Sequence, residues 1–371
     1  MSTSPVKRLL DHGQSAWLDF IERKLLASGE LARMIDEWGV RGMTSNPSIF
    51  EKAIAQTDQY ARDIAKLAAE GVAAERIYET VALADVRAAA DVFRPVYAAS
   101  QGADGFVSLE VSPHLAADAD GTVAEARRLW AALDRPNAMI KVPGTPAGLV
   151  AIRRLIGAGI NVNVTLLFSV ARYREVADAY AAGLEDAVAA GLPLERIASV
   201  ASFFLSRIDT AVDRELDRLV HSGGARANEA ARLRGTAAIA SARLAYAAYE
   251  ESIGTRRWRT LATRGARVQR LLWASTSAKD PAYSDVKYVE PLIGPDTVNT
   301  LPLETLRAYH DHGDPALRLP GHRAEAERDV AALAALSIDL DTVAGRLLEE
   351  GIVKFMEPYD ALLAAVQRAS G

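Results

Sequence analysis

The sequence predicts an α/β protein: a single (β/α)8 barrel of the TIM type with additional helices. Three observations lead there. Eight short β-rich runs alternate with amphipathic helical stretches along most of the chain. Strands separated by helices form a parallel sheet, because parallel neighbours need long crossovers. Several of the apolar runs also carry a charged or polar side chain, as expected where a barrel builds its site at the carboxyl ends of its strands.

The expected strands are 16–20, 42–45, 105–111, 138–142, 161–168, 197–203, 270–274 and 287–290, each short and rich in β-branched or aromatic residues. Between them, stretches 22–38, 75–99, 122–133 and 171–190 repeat apolar residues at three- and four-residue spacing, the period of a helix with one buried face. The longest gap between strands, 207–269, holds a helical segment at 216–219, a Ser222-Gly223-Gly224 break and an Ala-rich helix over 229–252. Stretches 303–310 and 341–369 are further helices after the last strand. The whole chain, 1–371, is therefore expected to be one domain with a helical insertion at about 208–269. C-terminal helices at about 303–371 pack outside the barrel or across its mouth.

Composition narrows the function classes. The chain has 371 residues, 50% of them hydrophobic and 25% charged, with a net charge of −5. An acidic chain has no global basic field to draw it to nucleic acid or to an acidic membrane, so neither is an expected partner. No apolar run reaches the length of a membrane span, and the N-terminal ten residues lack the apolar core of a signal peptide. The absence of cysteine excludes disulfides, thiolate metal sites and cysteine nucleophiles, and is compatible with a reducing cytoplasm, the expected location. The six histidines are scattered and give no metal-ligand spacing, so no metal and no cofactor is expected.

Lysine is scarce, and Lys141 stands in the apolar segment Ala138-Met139-Ile140-Lys141-Val142-Pro143. Lysine is almost never fully buried unless it is paired or used. A buried amine loses its proton more readily, which is what an imine-forming nucleophile requires. The plainer alternative is a strand-end lysine whose stem reaches solvent before the Pro143-Gly144 turn. Glu110 occupies a comparable place in Val107-Ser108-Leu109-Glu110-Val111, Asp19 ends the first strand, and Asn163 and Thr165 share one face of the fifth. Buried ion pairs stabilise weakly, so a cluster of them on several strands argues for chemical use.

These residues fall within segments that resemble the transaldolase family. The segments are Gly42-Met43-Thr44-Ser45-Asn46-Pro47-Ser48-Ile49-Phe50, Ile140-Lys141-Val142-Pro143-Gly144-Thr145, Asn161 to Ser169, and Ser202-Phe203-Phe204-Leu205-Ser206-Arg207-Ile208-Asp209. They follow the family's order from about residue 15 to 300. The resemblance implies a Schiff-base mechanism. Lys141 attacks the C2 carbonyl of a ketose phosphate, and Asp19 takes the proton of the C4 hydroxyl. Glu110 shuttles protons through a water held with help from Thr165. Asn46, Asn163 and Ser202 hold the ketose hydroxyls, and Arg207 binds phosphate.

The reaction implied is that of the non-oxidative pentose phosphate pathway. A dihydroxyacetone unit passes from sedoheptulose 7-phosphate to glyceraldehyde 3-phosphate, giving erythrose 4-phosphate and fructose 6-phosphate. Small-molecule sugar phosphates are thus the expected partners, with the oligomeric state, a homo-oligomer included, left open.

The chain departs from the family at its second phosphate arginine. The matching stretch reads Trp273-Ala274-Ser275-Thr276-Ser277-Ala278-Lys279, so Ser275 and Lys279 are expected to make those contacts. It resembles the longer branch of the family, which continues to a Tyr-Ser-Asp like Tyr283-Ser284-Asp285. Two other readings remain. A simple class I aldolase would be shorter and use a tyrosine where Glu110 stands. A non-catalytic sugar-phosphate-binding barrel would lack one of Lys141, Glu110 and Asp19. For Arg207 itself, the plain alternative is a surface pair with Asp209 or Asp213.

Overall fold

The structure, a computed structural model, describes residues 4–369. Residues 1–3 and 370–371, the ends of the expected domain and of its C-terminal helices, lie outside them. Eight strands close a parallel barrel in sequence order: β1 (Gln14–Asp19), β2 (Gly42–Thr44), β3 (Val107–Glu110), β4 (Ala138–Pro143), β5 (Val162–Leu167), β6 (Ser199–Phe204), β7 (Arg270–Ala274) and β8 (Thr297–Leu301). β8 returns to pair with β1, so the sheet has no free edge. The α/β barrel expected from the alternation is the one observed.

The eighth strand is a correction. It was expected at 287–290 and lies at Thr297–Leu301, while Glu290–Leu292 is a short 3-10 helix. Tyr288 and Val289 are buried, which imitates a strand in sequence. Their segment is held instead by side chains. Lys287 lies 3.4 Å from the Tyr283 ring centre, donates to the Gly235 carbonyl at 2.7 Å and pairs with Asp209 at 3.3 Å. The true strand reads Thr-Val-Asn-Thr-Leu, with polar side chains on both faces: Thr300 meets the Thr44 hydroxyl at 2.8 Å inside the barrel, while Asn299 on the other face donates to the Tyr288 carbonyl at 3.0 Å. Polar residues on both faces leave no apolar periodicity to find.

Two expected helices are also broken. Stretch 22–38 forms Arg23–Ala27, Glu30–Arg33 and Met34–Trp38, interrupted where Gly29 adopts a left-handed φ of 76°. Stretch 229–252 becomes Ala227–Leu233 and Ala237–Ile253, separated at Gly235. The helix after β6 begins earlier than expected and runs Ser206–Ser222.

The mouth is shaped by the C-terminal helix, Leu340–Ala369. Ala344, Leu347, Gly351, Phe355, Tyr359, Leu362 and Val366 are buried along it at three- and four-residue spacing, one continuous inward face. At Gly351 an added Cβ would lie 3.1 Å from Leu166 Cδ2, so glycine lets the helix approach β5 closely. Tyr359 sets its ring edge-on to Tyr78, 5.8 Å between centres, and His114 bonds Asp360 at 2.7 Å. Toward the opposite end of the barrel the Trp17 indole N–H donates to Asp104 at 3.0 Å, with Arg270 and Ser15 around the same carboxylate. No helix among the described residues is long and apolar enough to cross a membrane.

Candidate active site

Parallel strands all deliver their carboxyl ends to one side, so the terminal inward side chains of different strands meet there. Lys141 on β4 stands in register with Glu110 on β3 and Asn163 on β5. Lys141 is 5% exposed and its Nζ donates to the Ser45 carbonyl at 3.2 Å. Glu110 Oε2 lies 3.4 Å from that nitrogen. The lysine therefore does not snorkel to solvent. It is held inside by a backbone acceptor and a carboxylate.

The two carboxylates are held differently. Burial pushes Glu110 up to about 7, against the attraction of Lys141. Asp19 is also raised by burial, opposed first by the charge of Lys141 and then by the Thr44 hydroxyl. That hydroxyl donates to Asp19 Oδ1 at 2.7 Å and also touches Thr300 Oγ1 at 2.8 Å. Both acids thus keep a proton more readily than a carboxylate in water. Glu110 Oε2 and Thr165 Oγ1 are buried and have no hydrogen-bond partner among the described residues. Thr165 comes from β5 where the strand is irregular: the register shifts between Val164 and Leu167, and Leu166 has a φ of 61°. A left-handed leucine is costly, and such strain gathers where a strand end is put to use.

Asn46, Ser202, Arg207, Ser275 and Lys279 all line the cavity above Lys141, a space of about 1030 Å³ including its open mouth. Asn46 caps the helix Pro47–Gln56, its Oδ1 accepting from the Ile49 N–H at 3.1 Å. Ser202 donates to Asn163 Oδ1 at 2.7 Å. Asn163 is set deeper than the others, fully buried, its amide nitrogen donating to Ser108 Oγ at 3.0 Å. Both ends of that side chain are engaged inside the barrel.

Arg207 sits on the first turn of Ser206–Ser222. Asp209 and Asp213, its expected surface partners, are turned to other groups: Asp209 to Lys287 and the Ala238 N–H, Asp213 to Tyr283 and the Gly235 N–H. The guanidinium instead lies 5.3 Å from the Phe204 ring centre and 5.9 Å from that of Phe355. Its Nη1 is buried without a hydrogen-bond partner among the described residues. Ser275 is brought beside this turn by a 2.8 Å contact between its hydroxyl and that of Ser206.

Sequence reasoning left out Thr44, Thr300, Lys52, Lys354 and Phe355, which line the same cavity. Thr44 stood inside the Gly42 to Phe50 segment and could have been found from it. Phe355 could not: one aromatic residue at helical spacing carries no sign of the cavity it will face. With Lys52, Lys141, Arg207, Lys279 and Lys354 around Asp19 and Glu110, the lining is predominantly cationic and suits a phosphorylated, polyhydroxylated ligand.

Fold and cavity together define a class: a parallel α/β barrel whose carboxyl-end mouth holds a buried amine between two proton-retaining carboxylates. Residues 16–366 match the family described as transaldolase/fructose-6-phosphate aldolase. The chain is 52% identical to the transaldolase of Thiobacillus denitrificans, covering 98% of this chain and 99% of that protein. It is 51% identical to transaldolase 1 of Streptomyces avermitilis over 97% of this chain and 94% of the relative. Identity to transaldolase 2 of a Nostoc species is 46%, over 99% and 98%. The chain belongs to the transaldolase/fructose-6-phosphate aldolase family. The enzyme class expected from the sequence, a transferase of aldehyde or ketone residues, is the one these relatives' names carry.

Proposed function

We propose that the chain transfers a dihydroxyacetone unit from sedoheptulose 7-phosphate to glyceraldehyde 3-phosphate through a Schiff base on Lys141, giving erythrose 4-phosphate and fructose 6-phosphate. The observation that carries this reading is the enclosure of Lys141, 5% exposed, 3.4 Å from a carboxyl group that burial keeps near neutrality. A carboxyl that titrates around the working pH can both give and take a proton. Glu110 then protonates the departing hydroxyl as the imine forms and deprotonates a water when the imine is hydrolysed. Glu110 Oε2, paired with Lys141 but without a hydrogen bond among the described residues, and Thr165 Oγ1 suit a shared water beside the lysine.

Once the iminium stands at C2, it draws electrons from the C3–C4 bond, so no metal is needed as electron sink. Asp19 removes the C4 hydroxyl proton, the C3–C4 bond breaks, and the aldose leaves an enamine on Lys141. Thr44 orients the Asp19 carboxylate through its 2.7 Å hydrogen bond. Asn46 and Ser202 hold the ketose hydroxyls, and Asn163 supports Ser202 from below. Arg207, Ser275 and Lys279 take the phosphate, the guanidinium offering its planar fork of donors. This reading treats the chain as one domain acting in the cytoplasm, consistent with its lack of cysteine.

The test is incubation with fructose 6-phosphate, borohydride reduction and mapping of the modified peptide by mass spectrometry. A reduced dihydroxyacetone adduct is expected on Lys141, and prior addition of erythrose 4-phosphate should discharge it. No adduct on any lysine would refute the proposal.

A further inference from the structure

The enamine on Lys141 has two fates, and nothing described so far decides between them. Its nucleophilic carbon can attack the aldehyde of an acceptor, which is transfer. Alternatively, that carbon gains a proton to give an iminium, and the oxygen of a water bonds to C2. The C2–Nζ bond then breaks, and free dihydroxyacetone leaves with the lysine amine restored. One water is consumed in this second route and nothing is oxidised or reduced. A transferase must keep proton-donating solvent from the enamine carbon until the acceptor arrives, while the water between Glu110 and Thr165 stays on their side of the lysine.

We propose that Phe355 of the C-terminal helix determines this choice by covering Lys141 with an apolar surface. Its ring centre lies 5.5 Å from Lys141 Nζ and 5.9 Å from the Arg207 guanidinium carbon. One ring thus lies close to both the reacting nitrogen and the Arg207 guanidinium. The residue is 7% exposed although it lines an open, mostly polar cavity. A phenylalanine among lysines, threonines and serines makes no polar contact with a sugar phosphate, so its role there is to occupy space that water would fill.

The rest of the helix keeps the ring in place. Gly351, one turn earlier, fits against Leu166, and Tyr359, one turn later, is fixed by Tyr78. A cation within about 6 Å of an aromatic face is also attracted to it, so the ring tolerates the positive charge of the iminium while excluding solvent. Phe355 is in this sense a specificity-determining residue, and the inference rests on the Schiff-base reading above.

The experiment measures two rates in the wild type, Phe355→Ala and Phe355→Leu. One is release of free dihydroxyacetone from fructose 6-phosphate alone; the other is sedoheptulose 7-phosphate formation when erythrose 4-phosphate is added. The ratio of release to transfer should rise about tenfold or more in Phe355→Ala and stay within about twofold in Phe355→Leu, which keeps the apolar cover. Partial unfolding lowers both rates together and leaves the ratio unmoved. An unchanged ratio in Phe355→Ala, or a leucine variant that behaves like alanine, would overturn the inference. Borohydride trapping runs alongside: if the wild type gives no Lys141 adduct, the Schiff-base reading itself has failed. If the adduct forms and the ratio stays flat, only the role of Phe355 has. Should the alanine variant not fold, Phe355→Val must still raise the ratio above that of leucine.

Discussion

Replacing Glu110 by glutamine tests the electrostatics of the site independently of its chemistry. The variant keeps the shape of the side chain but cannot ionise. In the folded protein the carboxyl is pushed from an ordinary 4.5 up to about 7, burial outweighing the pull of Lys141. Between those two values the folded state holds a proton that the unfolded chain has already lost. The stability contributed by this group is therefore fully present below about 4.5 and is lost as pH rises through about 7. At about 1.4 kcal/mol per pKa unit, the wild type loses about 3 kcal/mol from this one group between pH 4.5 and 8.

Glu110→Gln has no such loss. Its stability relative to the wild type should rise by about 3 kcal/mol over that range, while titrating groups remote from Glu110 cancel in the comparison. Thermal melts of both proteins at pH 5 and pH 8 measure it, and the gap in Tm should move by several degrees in favour of the variant. A gap that does not change with pH would refute the reasoning, because it would mean that Glu110 is ionised as easily inside the barrel as in water. The same variant should have lost its turnover, since an amide neither gives nor accepts the shuttled proton.

Lys141→Arg should leave the far-ultraviolet circular dichroism spectrum intact and abolish activity, because a guanidinium does not deprotonate to attack a carbonyl; near-normal turnover would remove Lys141 from the mechanism. Lys279→Ala should raise KM for phosphorylated acceptors more than for their unphosphorylated counterparts. An equal change for both would show that the lysine does not touch phosphate. Gly42→Ala should destabilise by about 1–3 kcal/mol in denaturant melts through overpacking. The added Cβ would sit 2.6 Å from the Trp17 ring, which is fully buried and tied to Asp104. A melt like that of the wild type would show that the ring can move.

What the sequence by itself determined follows from local rules. Alternation of strand and helix requires a parallel sheet, and eight such units close it. A lysine, a glutamate and an aspartate inside apolar strand segments are costly enough to mark a site before any fold is known. Family-like segments from Gly42 to Asp209 attached roles to them. The same local rules misplaced β8, because Thr297–Leu301 carries polar side chains on both of its faces, whereas the nearby Tyr288 and Val289 are buried without being a strand.

Tertiary structure alone decided the rest. The 3.4 Å approach of Glu110 to Lys141 depends on strand register, which no spacing in the chain encodes. The direction of Arg207, away from Asp209 and Asp213 and toward two aromatic rings, depends on which partners those aspartates find some 20 to 80 residues away. Phe355 reaches the site from a helix more than two hundred residues beyond Lys141 in the chain. Local sequence fixes which side chains are costly to bury. Only the closed barrel and the helix laid across it fix which of them meet, because those distances arise from contacts between segments remote in the chain.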